Sequence, residues 1–311
     1  MAAMPTPVPG TDPDDPSFRI DELSYFGENC REYGLEDPSG VAVERVTVDL
    51  GAGRELSALR WGAGSPRAVL LHGGAQNAHT WDTVALALRP APVLAVDLPG
   101  HGRSGWRDDR RYDPVANGED VAAMVGQLAP GAEVVVGMSL GGLTAAAFAA
   151  ARPDLVRRLV LVDITPGVTR DKAKEVHDFI EGPQSFGSFR EIFDRTVEFN
   201  PTRTPESLRR GILHNAHREA DGTWRWNYDR RPLDGEGMTD PSVLWDAIGS
   251  IEAPLLLVRG SLSPVVDDDD VAELRRRCPQ ARVVVVDGAG HSVQGDRPLV
   301  LADLLRAELD A

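Results

Sequence analysis

Residues 133–148 read EVVVGMSLGGLTAAAF, and this stretch decides the fold. An apolar, β-branched run leads into a Gly-x-Ser-x-Gly at Gly137–Gly141, and a helix of small residues is predicted to follow. Glycine on both sides of Ser139 permits a sharp backbone turn, which would lift the serine hydroxyl clear of a sheet. The stretch therefore predicts a strand, a tight turn and a helix, with Ser139 as a candidate nucleophile.

Short apolar runs recur before and after this stretch, and helical patterns separate them. Residues 41–50 and 55–61 are predicted to form an antiparallel hairpin, because a glycine-rich turn joins them. The other candidate strands are short and almost entirely apolar, which is typical of strands buried on both faces of a parallel sheet. They are 68–71, 93–96, 158–162, 254–258 and 282–286. The sequence therefore predicts an α/β fold with a doubly wound, mostly parallel sheet.

The alternation of strands and helices stops between 167 and 249, where aromatic residues accumulate. We interpret 167–249 as a mainly helical cap (lid) insertion in a core formed by 18–166 and 250–311. Most of its aromatic residues are expected to form the core of the cap, and some should line an apolar acyl pocket above Ser139. Residues 1–17, which are rich in proline and aspartate, are predicted to be a disordered N-terminal tail.

Charge and hydropathy argue against a nucleic-acid partner, a membrane span and a secretory signal. The formal net charge is −15, from 48 acidic and 33 basic residues, and no basic stripe is available to neutralise phosphates. A nucleic-acid partner is therefore not expected. No apolar run approaches the roughly 18 residues that a membrane span requires. The N-terminal residues lack the basic region and apolar core of a secretory signal.

The sequence offers no sign of a cofactor or a metal. Cys30 and Cys278 are the only cysteines, and they lie far apart without metal-ligand spacing. Neither a disulfide nor a zinc site is therefore expected, and a reduced cytoplasm fits best. No phosphate-cradling loop, flavin fingerprint or ligand cluster is evident, so we expect no cofactor and no metal.

Four motifs follow candidate strands in a fixed order. They are His72-Gly73-Gly74, Asp97-Leu98-Pro99-Gly100-His101-Gly102, the Gly-x-Ser-x-Gly of Ser139, and Gly290-His291. Together they resemble the α/β-hydrolase superfamily, and the resemblance extends from about Val41 to the C-terminus. Within it, the chain is similar to actinobacterial and mycobacterial esterase-type serine hydrolases, through 72–82 (HGGAQNAHTWD) and 290–294 (GHSVQ).

This resemblance implies a fold and an activity. The fold is an α/β-hydrolase fold, with a mostly parallel, eight-stranded-type sheet flanked by helices and a cap above it. The activity is serine hydrolysis of carboxylic esters, with small to medium acyl chains, through an acyl-enzyme. A small-molecule acyl substrate is therefore the expected partner, and the oligomeric state is left open.

The residues themselves agree with this chemistry. A serine hydroxyl needs a base to remove its proton during attack, and imidazole suits that work near neutral pH. His291 is the candidate base, because it follows Ser139 in chain order and lies on a glycine-rich loop after the last strand. The backbone N–H groups of Leu140 and Gly74 are the candidate oxyanion donors, with Ala75 as an alternative to Gly74.

The third member of the triad departs from the usual pattern. Most relatives carry an aspartate a few residues after the seventh strand, where this chain has Ser263. A less common solution places the acid after the sixth strand, and Asp163 stands there, so we favour Asp163 as the partner of His291. Asp267 or Asp268 could instead fold back from the next loop, although carboxylates there would also favour a helix N-terminus. A triad without an ionised acid is the remaining alternative.

Other functions stay open on the sequence alone. A C–C bond hydrolase, thioesterase, lactonase or perhydrolase would share the same triad and differ in cap and pocket. A noncatalytic ligand-binding member of the fold is the alternative from another class, and the missing acid after the seventh strand is its only support.

Overall fold

The computed structural model describes residues 12–229 and 240–311. Within these ranges the strands are β1 (Val43–Gly51), β2 (Arg54–Trp61), β3 (Ala68–Leu71), β4 (Val93–Asp97), β5 (Val134–Met138), β6 (Leu159–Val162), β7 (Ser185–Phe186), β8 (Ala216–Arg218), β9 (Trp224–Trp226), β10 (Leu255–Gly260) and β11 (Arg282–Val286). The α-helices are α1 (Phe26–Tyr33), α2 (Asp82–Leu88), α3 (Pro114–Leu128), α4 (Leu140–Ala151), α5 (Lys174–Ile180), α6 (Phe189–Glu198), α7 (Pro205–Asn215), α8 (Leu244–Ser250), α9 (Asp268–Arg277), α10 (Val293–Asp296) and α11 (Pro298–Leu309). None of these helices is long and apolar enough to cross a membrane.

Eight strands form the main sheet in the order β1-β2-β4-β3-β5-β6-β10-β11. The strand β2 runs antiparallel to both β1 and β4, and the other neighbours are parallel. The predicted hairpin and the mostly parallel sheet are therefore confirmed. In the register of β5 and β6, Met138 pairs with Val162, so the residues that follow these strands emerge side by side at one edge.

Alternating side chains of the central strands bury themselves on opposite faces of the sheet. Leu71 and Val135 pack with α3, α4, α8 and α9 on one face. Leu70 and Val136 pack with α1, α2 and α11 on the other. Because both faces are covered, these strands are apolar at every position, as their sequences predict.

The insertion contains a small sheet that the sequence analysis does not predict. Three strands pair antiparallel in the order β7-β9-β8, beside α5, α6 and α7. Each is only two or three residues long, which is too short for an alternating pattern to show. Aromatic side chains of these strands and of α6 form a third hydrophobic cluster, which includes Phe189, Phe193 and Trp224. Trp245 instead lies on α8 in the core beneath the main sheet.

The N-terminal residues divide into two parts. Residues 1–11 of the predicted tail lie outside the described residues, whereas 12–17 make defined contacts with the insertion. Asp14 accepts hydrogen bonds from the backbone N–H of Phe189 and from Trp224 Nε1, each over 2.8 Å. These donors lie 175 and 210 residues from Asp14, so no local pattern in 12–17 indicates the contacts.

The turn between β5 and α4 depends on its glycines. Ser139 has φ 51° and ψ −120°, in a region that non-glycine residues rarely adopt. A Cβ on Gly137 would lie 2.2 Å from the carbonyl oxygen of Gly141. A Cβ on Gly141 would lie 2.4 Å from the carbonyl oxygen of Leu71. The strained turn therefore forms only because both positions lack a side chain.

We predict that Gly137→Ala lowers the free energy of unfolding by about 2 kcal/mol or more, because the added methyl group must displace the backbone. The measurement is urea denaturation followed by circular dichroism. Gly131→Ala is the matched control, since a Cβ there meets no atom within 4 Å. Equal unfolding midpoints for Gly137→Ala and the wild type would contradict the role given to this turn.

Candidate active site

A cavity of about 420 Å³ lies between the carboxyl edge of the main sheet and the insertion. Ser139 and His291 both line it. Part of its wall is aromatic, from Phe179, Phe199 and Trp226 of the insertion. The two residues predicted to carry the chemistry therefore face one cleft with a partly apolar wall, as a binding site for a small organic ligand requires.

Asp163 is the carboxylate that contacts His291. It follows β6 directly, its side chain is fully buried, and its φ of 52° places it in the left-handed region. His291 Nδ1 donates a hydrogen bond to Asp163 Oδ2 over 2.8 Å. The Ser139 backbone N–H donates to the carbonyl of Val162, which joins the starts of the two loops. The structure therefore brings Ser139, Asp163 and His291 to the same edge of the sheet.

Ser263, which stands where relatives usually carry the acid, also contacts Asp163. Its hydroxyl donates to Asp163 Oδ2 over 2.5 Å, and it accepts a hydrogen bond from Val265 N over 3.2 Å. The N–H of Gly260 donates to Asp163 Oδ1 over 2.8 Å. A buried carboxylate is costly unless donors surround it, and these contacts supply them. In the sequence Ser263 stands out only as a missing acid, since its partner lies 100 residues away.

The alternative acids lie elsewhere. Asp267 caps the N-terminus of α9, and its Oδ2 is 2.8 Å from Lys172 Nζ. That hydrogen bond holds the pKa of Asp267 below its usual value. Asp268 pairs with Arg259 over 2.6 Å on the exposed surface. Neither carboxylate makes a hydrogen bond to His291, so the helix-capping interpretation describes their position.

The loop after β3 is held in place by its neighbours. The N–H of Gly73 donates to Gln76 Oε1 over 3.2 Å, and the N–H of Ala75 donates to His101 Nε2 over 3.1 Å. Within 12–229 and 240–311, the N–H of Gly74 has no hydrogen-bond partner, and Gly74 lines the cavity. Because the amide of Ala75 is already engaged, Gly74 is the better placed of the two predicted donors.

Leu140 is the first residue of α4, so its N–H belongs to the unpaired amides of a helix N-terminus. The amides of Gly142 and Leu143, two and three residues further on, donate to the carbonyl of Ser139 over 2.8 and 3.1 Å. The N–H of Leu140 has no such partner in the described part of the chain. The helix dipole favours negative charge at this end, which suits an oxyanion donor.

His72 and His101 shape the loops at the sheet edge through their ring nitrogens. His72 Nε2 accepts a hydrogen bond from Leu98 N over 2.9 Å, and its Nδ1 donates to the carbonyl of Gly73 over 2.7 Å. Burial lowers the pKa of His72 to about 3 and also lowers the pKa of His101. Both imidazoles are therefore neutral at physiological pH.

A second group of titratable residues also lines the cavity, around His79. Its Nδ1 is 2.9 Å from Asp82 Oδ2, and its Nε2 is 3.0 Å from Glu22 Oε1. Burial alone would lower the pKa of His79, but the charge and hydrogen bonds of Asp82 and Glu22 raise it to about 9. The ring of His214 stacks on His79 with centroids 3.7 Å apart, and burial holds the pKa of His214 well below its usual value.

His79, Asp82 and His214 are close enough to be considered as metal ligands, with candidate atoms within 4.8 Å of one another. A metal ion lies in the plane of each imidazole that binds it, and binding requires a nitrogen free of its proton. Here the two rings are stacked with an interplanar angle of 6°, so no point within bonding distance of both rings lies in both planes. His79 also keeps both protons between two carboxylates. In this arrangement the residues fit a buried ion-pair network better than a metal site.

A mostly parallel sheet with a Gly-x-Ser-x-Gly turn between its fifth strand and the following helix defines a hydrolase of the α/β class. The profile of the alpha/beta hydrolase family matches residues 68–304. The chain belongs to this family. The predicted fold class and the resemblance stated from the motifs are therefore confirmed.

Two relatives indicate where in the family the chain lies. It is 46% identical over 304 residues to the esterase Rv0045c of Mycobacterium tuberculosis, which covers 96% of this chain and 98% of that protein. A solved structure of the same esterase covers 94% of this chain and 99% of its own, with a TM-score of 0.83. The sn-1-specific diacylglycerol lipase ABHD11 of Mus musculus is 32% identical over 262 residues, covering 78% of this chain and 81% of that protein.

The His79 network predicts a pH-dependent contribution to stability. Because the pKa of His79 is raised from 6.5 to about 9, its stabilisation is complete below pH 6.5 and is lost as the pH rises through 9. We therefore expect His79→Gln to destabilise the protein by about 2 kcal/mol more at low pH than at high pH. Urea denaturation of both proteins at about pH 6 and about pH 10 measures this difference.

His217→Gln is the matched control, because His217 is about half exposed and its substitution removes no buried charge. Its effect on unfolding should be small and similar at both pH values. If His79→Gln shifted the unfolding free energy equally at both pH values, the charged state assigned to His79 would be wrong.

Proposed function

We propose that the protein is a carboxylic-ester hydrolase in which Ser139 is the nucleophile, His291 the general base and Asp163 the acid of the triad. The hydrogen bond between His291 Nδ1 and the buried Asp163 carboxylate carries this proposal. It fixes the imidazole tautomer so that Nε2 is left to accept a proton. Ser139 and His291 line the same cavity, which supplies the place for the substrate.

The reaction has two stages. His291 Nε2 takes the hydroxyl proton as Ser139 Oγ attacks the ester carbonyl carbon, and the oxyanion accepts hydrogen bonds from the amides of Gly74 and Leu140. His291 then returns the proton to the alcohol oxygen as the C–O bond breaks, leaving an acyl-serine. A water molecule, deprotonated by His291, attacks this ester and releases the carboxylic acid and the free Ser139.

The cavity supports acyl chains of small to medium length. Its volume of about 420 Å³ lies at the lower end of the range typical of ligand pockets. The aromatic side chains of Phe179, Phe199 and Trp226 would pack against the acyl chain. The part of the insertion that lines the cavity, between Lys172 and Trp226, would therefore act as the lid that shapes the substrate site.

The relatives support hydrolysis of esters rather than another chemistry of the fold. The relative that is 46% identical over nearly the whole chain is named an esterase, and the mouse relative is named a diacylglycerol lipase. The same ester chemistry is proposed for this chain.

We propose a cytoplasmic location because both cysteines are unpaired. Cys30 and Cys278 are both free thiols and both buried. Burial raises the pKa of each thiol, which makes them poor nucleophiles. Unpaired cysteines are usual in a reducing compartment.

The activity is tested with p-nitrophenyl esters of straight-chain acids, from acetate to dodecanoate. We expect turnover with an optimum among the shorter acids, labelling of Ser139 by a fluorophosphonate, and loss of both in Ser139→Ala. An unlabelled Ser139 together with turnover equal to that of Ser139→Ala would overturn the proposed function.

The acid is tested by amide substitutions. Asp163→Asn should lower kcat by about 10³-fold or more, because the amide cannot stabilise the imidazolium that forms during attack. Asp267→Asn and Asp268→Asn are the matched controls, and each should keep a kcat close to that of the wild type, because these carboxylates do not contact His291. A near-normal kcat for Asp163→Asn would rule out Asp163 as the acid.

A further inference from the structure

Arg203 lines the same cavity as Ser139 and His291, and it stands just before α7. Its Nη2 donates to Ser207 Oγ over 2.6 Å. Its Nε is buried and has no hydrogen-bond partner. Across residues 12–229 and 240–311, no carboxylate lies within 4.0 Å of the Arg203 guanidinium. The guanidinium therefore keeps donors that no protein group accepts.

The other cationic side chains around the cavity differ from Arg203 in this respect. Lys172 lies 2.8 Å from both Asp267 and Asp270. Arg210 pairs with Glu32, and a second carboxylate lies 3.7 Å from it. His79 is held between two carboxylates. Among the described residues that line the cavity, Arg203 is thus the cation without an acidic partner.

Asp296, the acid whose charge acts most strongly on Arg203, is engaged with other groups. Asp296 Oδ1 accepts a hydrogen bond from Thr202 Oγ1 over 2.9 Å, and its Oδ2 accepts one from Gly290 N over 2.8 Å. Asp296 thereby fixes the loop that carries His291 instead of pairing with Arg203. Burial lowers the pKa of Arg203 although the charges of Asp296 and Glu32 act to raise it, so the guanidinium charge is costly there.

The absence of a side chain at Gly295 leaves space for the Arg203 guanidinium. A Cβ on residue 295 would lie 2.9 Å from Arg203 Cζ, so Gly295 is the residue that allows the guanidinium to lie against α10. The guanidinium therefore lies close to the loop of His291, within the cavity that would hold a substrate. A planar guanidinium with free N–H groups is suited to bidentate contact with a carboxylate or a phosphate.

We propose that Arg203 binds an anionic group of the substrate, and that the preferred substrates are esters that carry a carboxylate or phosphate away from the scissile bond. This proposal rests on the function proposed above. It assigns Arg203 to substrate specificity, and it leaves the chemical steps to Ser139, His291 and Asp163.

The test compares two p-nitrophenyl esters of equal acyl length, the hexanoate and the monoester of adipic acid, which ends in a carboxylate. In Arg203→Met, kcat/KM for the adipate ester should fall about 10- to 100-fold, as expected for loss of a hydrogen bond to a charged group. The hexanoate should change by less than about threefold. Arg203→Lys should restore part of the loss, because it returns the charge without the planar fork.

Two inhibitors distinguish the sources of the anion. Adipate and inorganic phosphate are each tested against hexanoate hydrolysis by the wild type and Arg203→Met. Whichever inhibits the wild type should lose its effect in the variant, and that identifies the carboxylate or the phosphate as the bound group. Inhibition by neither anion, with equal turnover of the adipate ester by both proteins, would overturn the proposal.

Lys172→Met is the matched control, since Lys172 also lines the cavity but is already paired. The ratio of kcat/KM values for the two esters should not change in this variant. An equal loss on both esters in Arg203→Met would show a structural role and overturn the proposal.

Failure of the proposed anion site can be distinguished from failure of the proposed esterase activity. If the wild type hydrolysed neither ester and Ser139 stayed unlabelled, calorimetric titration with adipate and with phosphate would still decide. Binding that is lost in Arg203→Met would support the anion site, and equal binding by both proteins would exclude it.

Discussion

The Asp163 carboxylate is the constraint on which the site depends. It is fully buried, and it accepts hydrogen bonds from His291, Ser263 and Gly260. These donors come from the end of β10, the loop after it and the loop after β11, while Asp163 itself follows β6. The hydrogen bonds of this carboxylate therefore connect three segments at the carboxyl edge of the sheet. A buried carboxylate of this kind is stable only while its donors surround it.

The same edge is organised by close backbone contacts and by the insertion. The glycines around Ser139 let α4 approach β3 and β5, which sets the direction of the serine. Above it, Asn215 at the end of α7 donates to the carbonyl of Ala75 over 2.6 Å. The insertion thus fixes the loop that carries the Gly74 amide, so the lid and the candidate oxyanion donors form one structure. Donors that are held in place before a reaction contribute most to stabilising its charge.

Much of the fold and of the candidate site can be predicted from short stretches of the sequence. The apolar strands, the turn of Ser139 and the loop of His291 were predictable because each leaves a pattern within a few residues. The acid was not determined in the same way, because Asp163, Asp267 and Asp268 all follow strands of the sheet. What separates them is a contact with His291, 128 residues from Asp163, that no local pattern records. The unpaired state of Arg203 was missed for the same reason, whereas strands β7 to β9 were missed because they are too short for an alternating pattern to show.

The most direct measurement is the proton NMR signal of the His291 Nδ1–H, observed with ¹⁵N-labelled histidine. A proton held between imidazole and a buried carboxylate resonates far downfield of ordinary amide protons. We expect this resonance in the wild type, in Ser139→Ala and in Asp267→Asn, and its loss in Asp163→Asn, with all four proteins folded. A downfield Nδ1 proton that persists in Asp163→Asn would contradict the assignment of Asp163 as the carboxylate that orients His291.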